Sequence, residues 1–167
     1  MDTPGSAYLL AIAAIAMTFV SLSAIVLVLR QFGGGALTPY HTHVVRFTVE
    51  CGLMATAAAL LPVLLGLTGL PSDVVYRVSS AAGALGFLVY LLTYLGRYRR
   101  VMPGRLPRRM VIITTLSIVI DATLWLNAAG ILLRGEAWPY AVAVTWILVQ
   151  AGIVFLLTFD VFLQGDR

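Results

Sequence analysis

The chain has 167 residues, of which 60% are hydrophobic and only 11% are charged. A soluble globular domain is about a quarter charged, so this chain has too few charges to cover a water-facing surface. All of its 11 basic residues are arginines, and the formal net charge is +4. The composition therefore excludes an ordinary soluble domain and predicts a protein solvated mainly by lipid. Its arginine-rich, lysine-free character is typical of a GC-rich bacterial genome.

Five apolar segments reach the length of about 20 residues that a helix needs to cross a bilayer. The predicted spans are 7–29, 44–70, 74–96, 110–133 and 138–163. Because the connections are short, we expect a single transmembrane domain over 1–167, an all-α integral membrane bundle of five helices. The first segment exceeds the core of a signal peptide, about 7–15 residues, so we expect it to be a retained helix.

The placement of the arginines predicts the orientation of the spans. Arg77 and Arg134 fall on one side of the membrane, and the other nine arginines fall on the opposite side. Short arginine-rich loops remain in the cytoplasm. We therefore expect the N-terminus outside and the C-terminus in the cytoplasm, in the cytoplasmic (inner) membrane of a bacterium.

The fourth predicted span carries one ionisable residue, Asp121, near its midpoint. A carboxylate at that depth costs roughly 2.5–3.5 kcal/mol on insertion scales, so it needs a partner or a function. Ser117 lies one turn away on the same face, and Gln150 lies near the centre of the next, antiparallel span. Thr18 and Ser21 lie near the centre of the first span. These residues are expected to form a polar layer at the membrane midplane, with Gln150 level with Asp121.

Two interpretations of this layer remain open. In the first, Asp121 is a proton carrier, a cation ligand or a substrate contact. In the second, a protonated Asp121 and Gln150 only hydrogen-bond neighbouring helices together. For Asn127, one and a half turns further along the fourth span, the pattern favours a hydrogen bond between helices.

The second predicted span begins with a polar face formed by His43, Arg46 and Glu50. Arg46 and Glu50 are four residues apart and can pair along a helix. At a membrane boundary such a face is typical of residues that contact headgroups, and the alternative is a vestibule lined by Glu50 and Arg46. His41 and His43 are two residues apart and do not share a helical face, so the sequence predicts no metal site.

The connection between the third and fourth spans is a cluster of six arginines. Each arginine near an anionic membrane surface contributes about 1 kcal/mol of attraction, so we expect the cluster to contact lipid headgroups. The pattern lacks interleaved aromatic residues and does not indicate nucleic-acid binding. The residues are Arg97, Arg99, Arg100, Arg105, Arg108 and Arg109.

Small residues recur four positions apart in the third predicted span. Ser79 pairs in this way with Gly83, and Ala82 with Gly86. Such patterns allow two helix backbones to approach closely. We expect this face to pack against another helix.

Several classes of cofactor and enzyme are excluded by residue content. The single cysteine, Cys51, excludes an internal disulfide, the absence of lysine excludes a retinal Schiff base, and no pair of deep histidines can hold a b-type haem. No serine–histidine or cysteine–histidine pair lies within a span. The pattern favours a non-enzyme without a cofactor.

The sequence favours a small channel or transporter that moves a small ion or a proton past the midplane layer. Five short helices enclose little interior, so we expect the path to form between self-associated copies. The alternatives are an accessory or scaffold subunit of a larger membrane complex and a lipid-binding membrane protein.

The predicted topology can be tested with a reporter fused after Arg167. An impermeant reagent added outside intact cells should fail to label this reporter, because the arginine-rich side of the chain faces the cytoplasm. The control is the same reporter inserted in the 71–73 turn, which should be labelled. Labelling of the C-terminal reporter from outside would reverse the orientation.

Overall fold

The computed structural model describes residues 4–32, 39–101, 108–131 and 133–163. This part of the chain contains five helices and no strand. Helix α2 begins at Pro39, whose fixed φ suits the first turn of a helix. The helices are α1 (Ser6–Phe32), α2 (Pro39–Gly66), α3 (Ser72–Val101), α4 (Arg108–Ala129) and α5 (Ala137–Leu163).

Each helix contains a stretch of 20 to 29 residues that is long and apolar enough to cross a membrane. Large apolar side chains point away from the bundle, and Ile25, Leu92 and Ile118 are each more than half exposed. Such a surface is unfavourable in water and neutral in lipid. These features indicate a multi-pass membrane protein of the all-α class.

Four helix ends differ from the predicted spans by four or five residues. Helix α2 begins at Pro39 instead of near residue 44. Helix α2 ends at Gly66 instead of near residue 70, and α3 continues to Val101 instead of ending near residue 96. Helix α4 ends at Ala129 instead of near residue 133, because Gly130 has a φ of +67°. A left-handed residue directly after the last helical residue terminates a helix, and glycine adopts this conformation without strain.

Helix α5 is the central helix of the bundle. Among the described residues it contacts each of the other four helices, whereas α1 packs on α2 and α5 without contacting α4. Its buried residues recur at intervals of three and four, as expected for one helical face. They include Tyr140, Ala143, Val144, Ile147 and Ala151.

Helices α1 and α2 pack closely through small residues. Ala16 of α1 and Ala55 and Ala59 of α2 have no exposed surface. A Cβ atom added at Gly52 would lie 2.5 Å from Cγ2 of Val20, so only glycine permits this approach. In lipid, such close contact is a main source of helix association.

The two ends of the bundle differ in character. The turn end comprises the α2–α3 turn at 67–71 and the α4–α5 turn at 130–136. The arginine end, on the opposite side, carries Arg46 of α2 and Arg97 and Arg100 of α3. We call these two ends of the bundle the turn end and the arginine end.

Asn127 ties the turn end together. Its Nδ2 donates to Oγ of Ser80 at 2.9 Å and to the carbonyl oxygen of Glu136 at 3.0 Å. Its Oδ1 accepts from the backbone N–H groups of Gly135 and Glu136, both at 3.1 Å. The fully buried side chain thus joins α3, α4 and the α4–α5 turn, which is the role that the sequence favoured.

Replacing Asn127 by alanine should lower the free energy of unfolding by about 2–3 kcal/mol. The change leaves the buried N–H of Gly135 and the buried hydroxyl of Ser80 without their Asn127 partner, and each such loss is costly. The N–H of Glu136 still donates to the carbonyl oxygen of Leu133. The measurement is unfolding of the purified protein in mild detergent by titration with dodecyl sulfate. Thr115→Ala, an exposed change on the same helix, should shift stability by less than about 0.5 kcal/mol. Equal effects of the two variants would contradict the structural role of Asn127.

Candidate functional site

Asp121 lies on the buried face of α4, with only 9% of its surface exposed. Its Oδ1 atom is buried and has no hydrogen-bond partner among the described residues. The Trp125 side chain, one turn further along α4, forms a hydrogen bond with the carboxyl group, so only the Oδ1 atom is left without a partner in the described part of the chain. At 1.5 Å per residue, Asp121 lies about 12 Å from the last residue of α4 and about 20 Å from the first. It is closer to the turn end than its central position in the predicted span indicated, because α4 ends at Ala129.

Gln150 meets α4 one turn away from Asp121. The Nε2 of Gln150 donates to Oγ of Ser117 at 2.6 Å, and Nε1 of Trp146 donates to the same oxygen at 3.1 Å. The Ser117 hydroxyl in turn donates to the carbonyl oxygen of Ile113 at 2.7 Å. The structure therefore sets Gln150 level with Ser117, whereas the sequence predicted that it would be level with Asp121.

Thr18 and Ser21 do not join this group. Both are exposed on α1, and their hydroxyls donate at 2.9 Å to the carbonyl oxygens of Ala14 and Met17 in their own helix. Because α1 turns its other face inward and does not contact α4, neither hydroxyl reaches Asp121. The cluster of polar side chains inside the bundle is therefore smaller than predicted. It consists of Ser117, Trp146 and Gln150 beside Asp121.

Glu50 forms two ion pairs, one within α2 and one that joins α2 to α3. The predicted partner, Arg46, places its Nε 2.6 Å from Oε1 of Glu50. The second partner is Arg97, whose Nη1 and Nη2 donate to the two carboxylate oxygens at 2.8 and 2.7 Å. The Arg97 side chain is 27% exposed and that of Arg46 is 62% exposed. Arg97 was expected only to contact headgroups, so the sequence missed this bidentate pair.

Aromatic side chains surround the ion pairs. The ring of His43 stacks on Tyr94 with centroids 5.2 Å apart, and Phe47 lies 4.9 Å from the same tyrosine. The Sγ of Cys51 donates to the hydroxyl of Tyr90 at 3.5 Å. The Nε2 atom of His43 is buried without a hydrogen-bond partner in the described part of the chain. These contacts hold α2 against α3 at the arginine end.

A groove follows the seam between α2 and α3. Its wide part, of about 890 Å³, opens at the arginine end, and its narrow, apolar part, of about 210 Å³, continues toward the turn end. Both parts are lined by Met54 and Gly86, so they adjoin along the seam. We call this feature the α2–α3 groove. Its charged residues are Arg46, Glu50, Arg97 and Arg100.

A smaller cavity of about 60 Å³ lies between the helices near Ser117. Most of its wall is apolar, and its polar members are Tyr90, Tyr94, Thr114, Ser117 and Gln150. One water molecule needs roughly 10–15 Å³ by this kind of measure, so the cavity has room for a few waters. It separates the Ser117–Gln150 hydrogen bond from the aromatic cluster.

The remaining predicted residues are less informative. Arg99, Arg100 and Arg108 are exposed, while Arg105 and the side chains of His41 and Arg109 lie outside the described residues. The described residues include no group of three or more histidine, cysteine or acidic residues that could hold a metal ion.

Comparisons with known proteins add nothing to this geometry. No family model, no curated protein and no solved structure matches the chain. A fold alone does not define a function, so the function has to be inferred from the residues of the site. They define a five-helix membrane bundle with a buried carboxyl group and a charged groove.

The two ion pairs of Glu50 should differ in strength, and double-mutant cycles can measure the difference. We expect a coupling energy of about 1–2 kcal/mol between Glu50→Gln and Arg97→Gln, since this pair is bidentate and half-buried. The coupling between Glu50→Gln and Arg46→Gln should be below about 0.5 kcal/mol, because Arg46 is largely in solvent. The shared carboxylate makes the second cycle a matched control. Equal couplings would contradict the geometry.

Proposed function

We propose that the protein is a small membrane transport protein that moves protons, with Asp121 as the group that takes up and releases the proton. The observation that carries this proposal is the buried Oδ1 of Asp121, which has no hydrogen-bond partner among the described residues. An unsatisfied polar group in an apolar interior costs about 1–3 kcal/mol. Natural membrane helices retain such groups mainly where they bind something.

The donor set favours a proton over a metal cation. A cation such as Ca²⁺ needs six to eight oxygen ligands, whereas a proton needs one base. The described residues include no acidic cluster around Asp121. The Ser117 hydroxyl already receives N–H donors from Gln150 and Trp146, so it is committed to the contact between helices.

Polar groups toward the arginine end support a route for the proton. One turn from Asp121 lie Ser117 and Gln150, and beyond them is the cavity with Tyr94 on its wall. Tyr94 stacks on His43, which precedes Glu50 on the same helix. A few waters in this cavity and the Tyr94 hydroxyl can pass a proton from one to the next, while Ser117 and Gln150 remain in the contact between helices.

The burial of Asp121 within one chain supports a site inside the single bundle. A pore between copies is therefore not required, although self-association remains compatible with the proposal. We further propose that the protein resides in a bacterial cytoplasmic membrane with the arginine end facing the cytoplasm. The alternative is the accessory subunit, in which Asp121 is permanently protonated and only stabilises the bundle.

Replacing Asp121 by asparagine should reduce proton flux on the order of tenfold or more, because an amide cannot take up and release a proton. The assay uses proteoliposomes that contain a pH-sensitive dye, with a membrane potential set by potassium and valinomycin. Asparagine keeps the volume and hydrogen-bonding capacity of aspartate, so the fold should persist. Thermal unfolding of the purified variant checks this.

The matched control is Asp73→Asn, which removes an exposed carboxylate in the first turn of α3. This variant should conduct protons as the wild type does. If Asp121→Asn is folded and also conducts as the wild type does, Asp121 is not the carrier. The accessory interpretation then predicts a stoichiometric partner protein in a native purification.

A further inference from the structure

We propose that the α2–α3 groove binds one anionic phospholipid, with its phosphate at the arginine end and an acyl chain along the apolar part. This binding site is separate from Asp121 and does not depend on the proposed transport. It also goes beyond general attraction between a basic loop and a membrane surface. It assigns the lipid to a defined groove and to particular arginines.

The charge at the mouth of the groove favours an anion. Three guanidinium groups, on Arg46, Arg97 and Arg100, line the mouth together with the single carboxylate of Glu50. The bidentate pair occupies Nη1 and Nη2 of Arg97, so the excess positive charge lies on Arg46 and Arg100. Arg100 is exposed, and the Arg46 side chain is mostly exposed. The mouth therefore keeps N–H donors and positive charge for a phosphate group.

The apolar part of the groove favours a hydrocarbon chain. Ala58, Ala82 and Phe87 line it, and Met54 and Gly86 join it to the charged mouth. A Cβ atom at Gly86 would meet no atom within 4 Å, so this glycine faces open space and not another helix. Of the small residues expected to pack against another helix, Ser79 is fully buried and a Cβ atom at Gly83 would lie 3.4 Å from Tyr140. Ala82 and Gly86 instead line the groove on this side of α3.

The length of the groove matches one leaflet of a bilayer. Along α3, Arg97 and Gly83 are about 21 Å apart at 1.5 Å per residue. Half of a hydrocarbon core is about 15 Å, which leaves the remainder for the headgroup. A phospholipid standing in one leaflet would therefore set its phosphate beside the arginines and its chain beside Gly83 and Gly86.

Adjacent residues on α3 offer a matched test of headgroup recognition. Arg100 lines the groove, whereas Arg99 is exposed but does not line it. Native mass spectrometry of the purified protein in neutral detergent, titrated with phosphatidylglycerol, measures the affinity of the lipid. Phosphatidylcholine, with the same acyl chains and no net charge, is the lipid control.

We expect one phosphatidylglycerol per chain, bound about tenfold more tightly than phosphatidylcholine, since two or more arginines contribute. Arg100→Ala should weaken phosphatidylglycerol binding about fivefold, and Arg99→Ala should change it by less than about twofold. Equal affinity for the two lipids, or equal losses in the two variants, would overturn the proposal. The second result would mean that the arginines act only as a diffuse positive surface.

Gly86→Leu tests the apolar part directly. Its side chain extends into open space, so the helix and the bundle should fold while the groove is filled. We expect the specifically bound lipid to be lost, with thermal unfolding similar to that of the wild type. Unchanged lipid affinity in the folded variant would remove the groove as the site. A stable dimer that excludes lipid from wild-type protein would show that a second copy covers the groove, and would likewise overturn the proposal.

Discussion

A polar group inside a lipid-embedded bundle is shielded from bulk water, so it needs a hydrogen-bond partner from the chain, a trapped water or a ligand. Asn127 meets this requirement fully, with four hydrogen bonds to α3 and the α4–α5 turn. Ser117 meets it through Gln150, Trp146 and the backbone of its own helix. The Oδ1 of Asp121 lies between these two satisfied groups and has no such partner in the described chain. This contrast distinguishes the Asp121 carboxyl group from the polar contacts that hold the helices together.

At the arginine end, partly buried charges are likewise satisfied by partners within the chain. A bidentate contact lets Arg97 and Glu50 neutralise one another where both are only about a quarter exposed. The aromatic cluster around Tyr94 fills the space beside them on the inner side, and the α2–α3 groove opens on the outer side. Positive charge in excess of Glu50 remains at the mouth of the groove. The contact between α2 and α3 therefore has two different sides. Its inner side borders the aromatic cluster and the cavity near Ser117, and its outer side is a groove with a charged mouth and an apolar wall.

Much of this architecture was predictable from the sequence. Five apolar segments indicated five helices, and the spacing of Arg46 and Glu50 indicated their pair. The short α4–α5 turn predicted the antiparallel packing in which Gln150 reaches α4. These features depend on local patterns, for which the period of the helix and the chemistry of turns suffice.

Features that depend on how helices rotate and meet were not predictable. The Arg97–Glu50 pair joins residues 47 positions apart, and no local pattern reports such a contact. Thr18 and Ser21 were assigned to the polar layer from their depth alone, yet α1 turns them outward. The end of α4 was hidden by the apolar residues that follow it, although Gly130 offered a signal of termination.

The central claim is that Asp121 exchanges a proton and is not a permanently protonated contact between helices. Infrared difference spectroscopy of the protein in lipid films, recorded across a range of pH, tests this most directly. The account predicts a carboxylic C=O band that is absent in Asp121→Asn and converts reversibly to a carboxylate band as the pH rises. A band assigned to Asp121 that stays unchanged across the whole range in which the protein remains folded would contradict it.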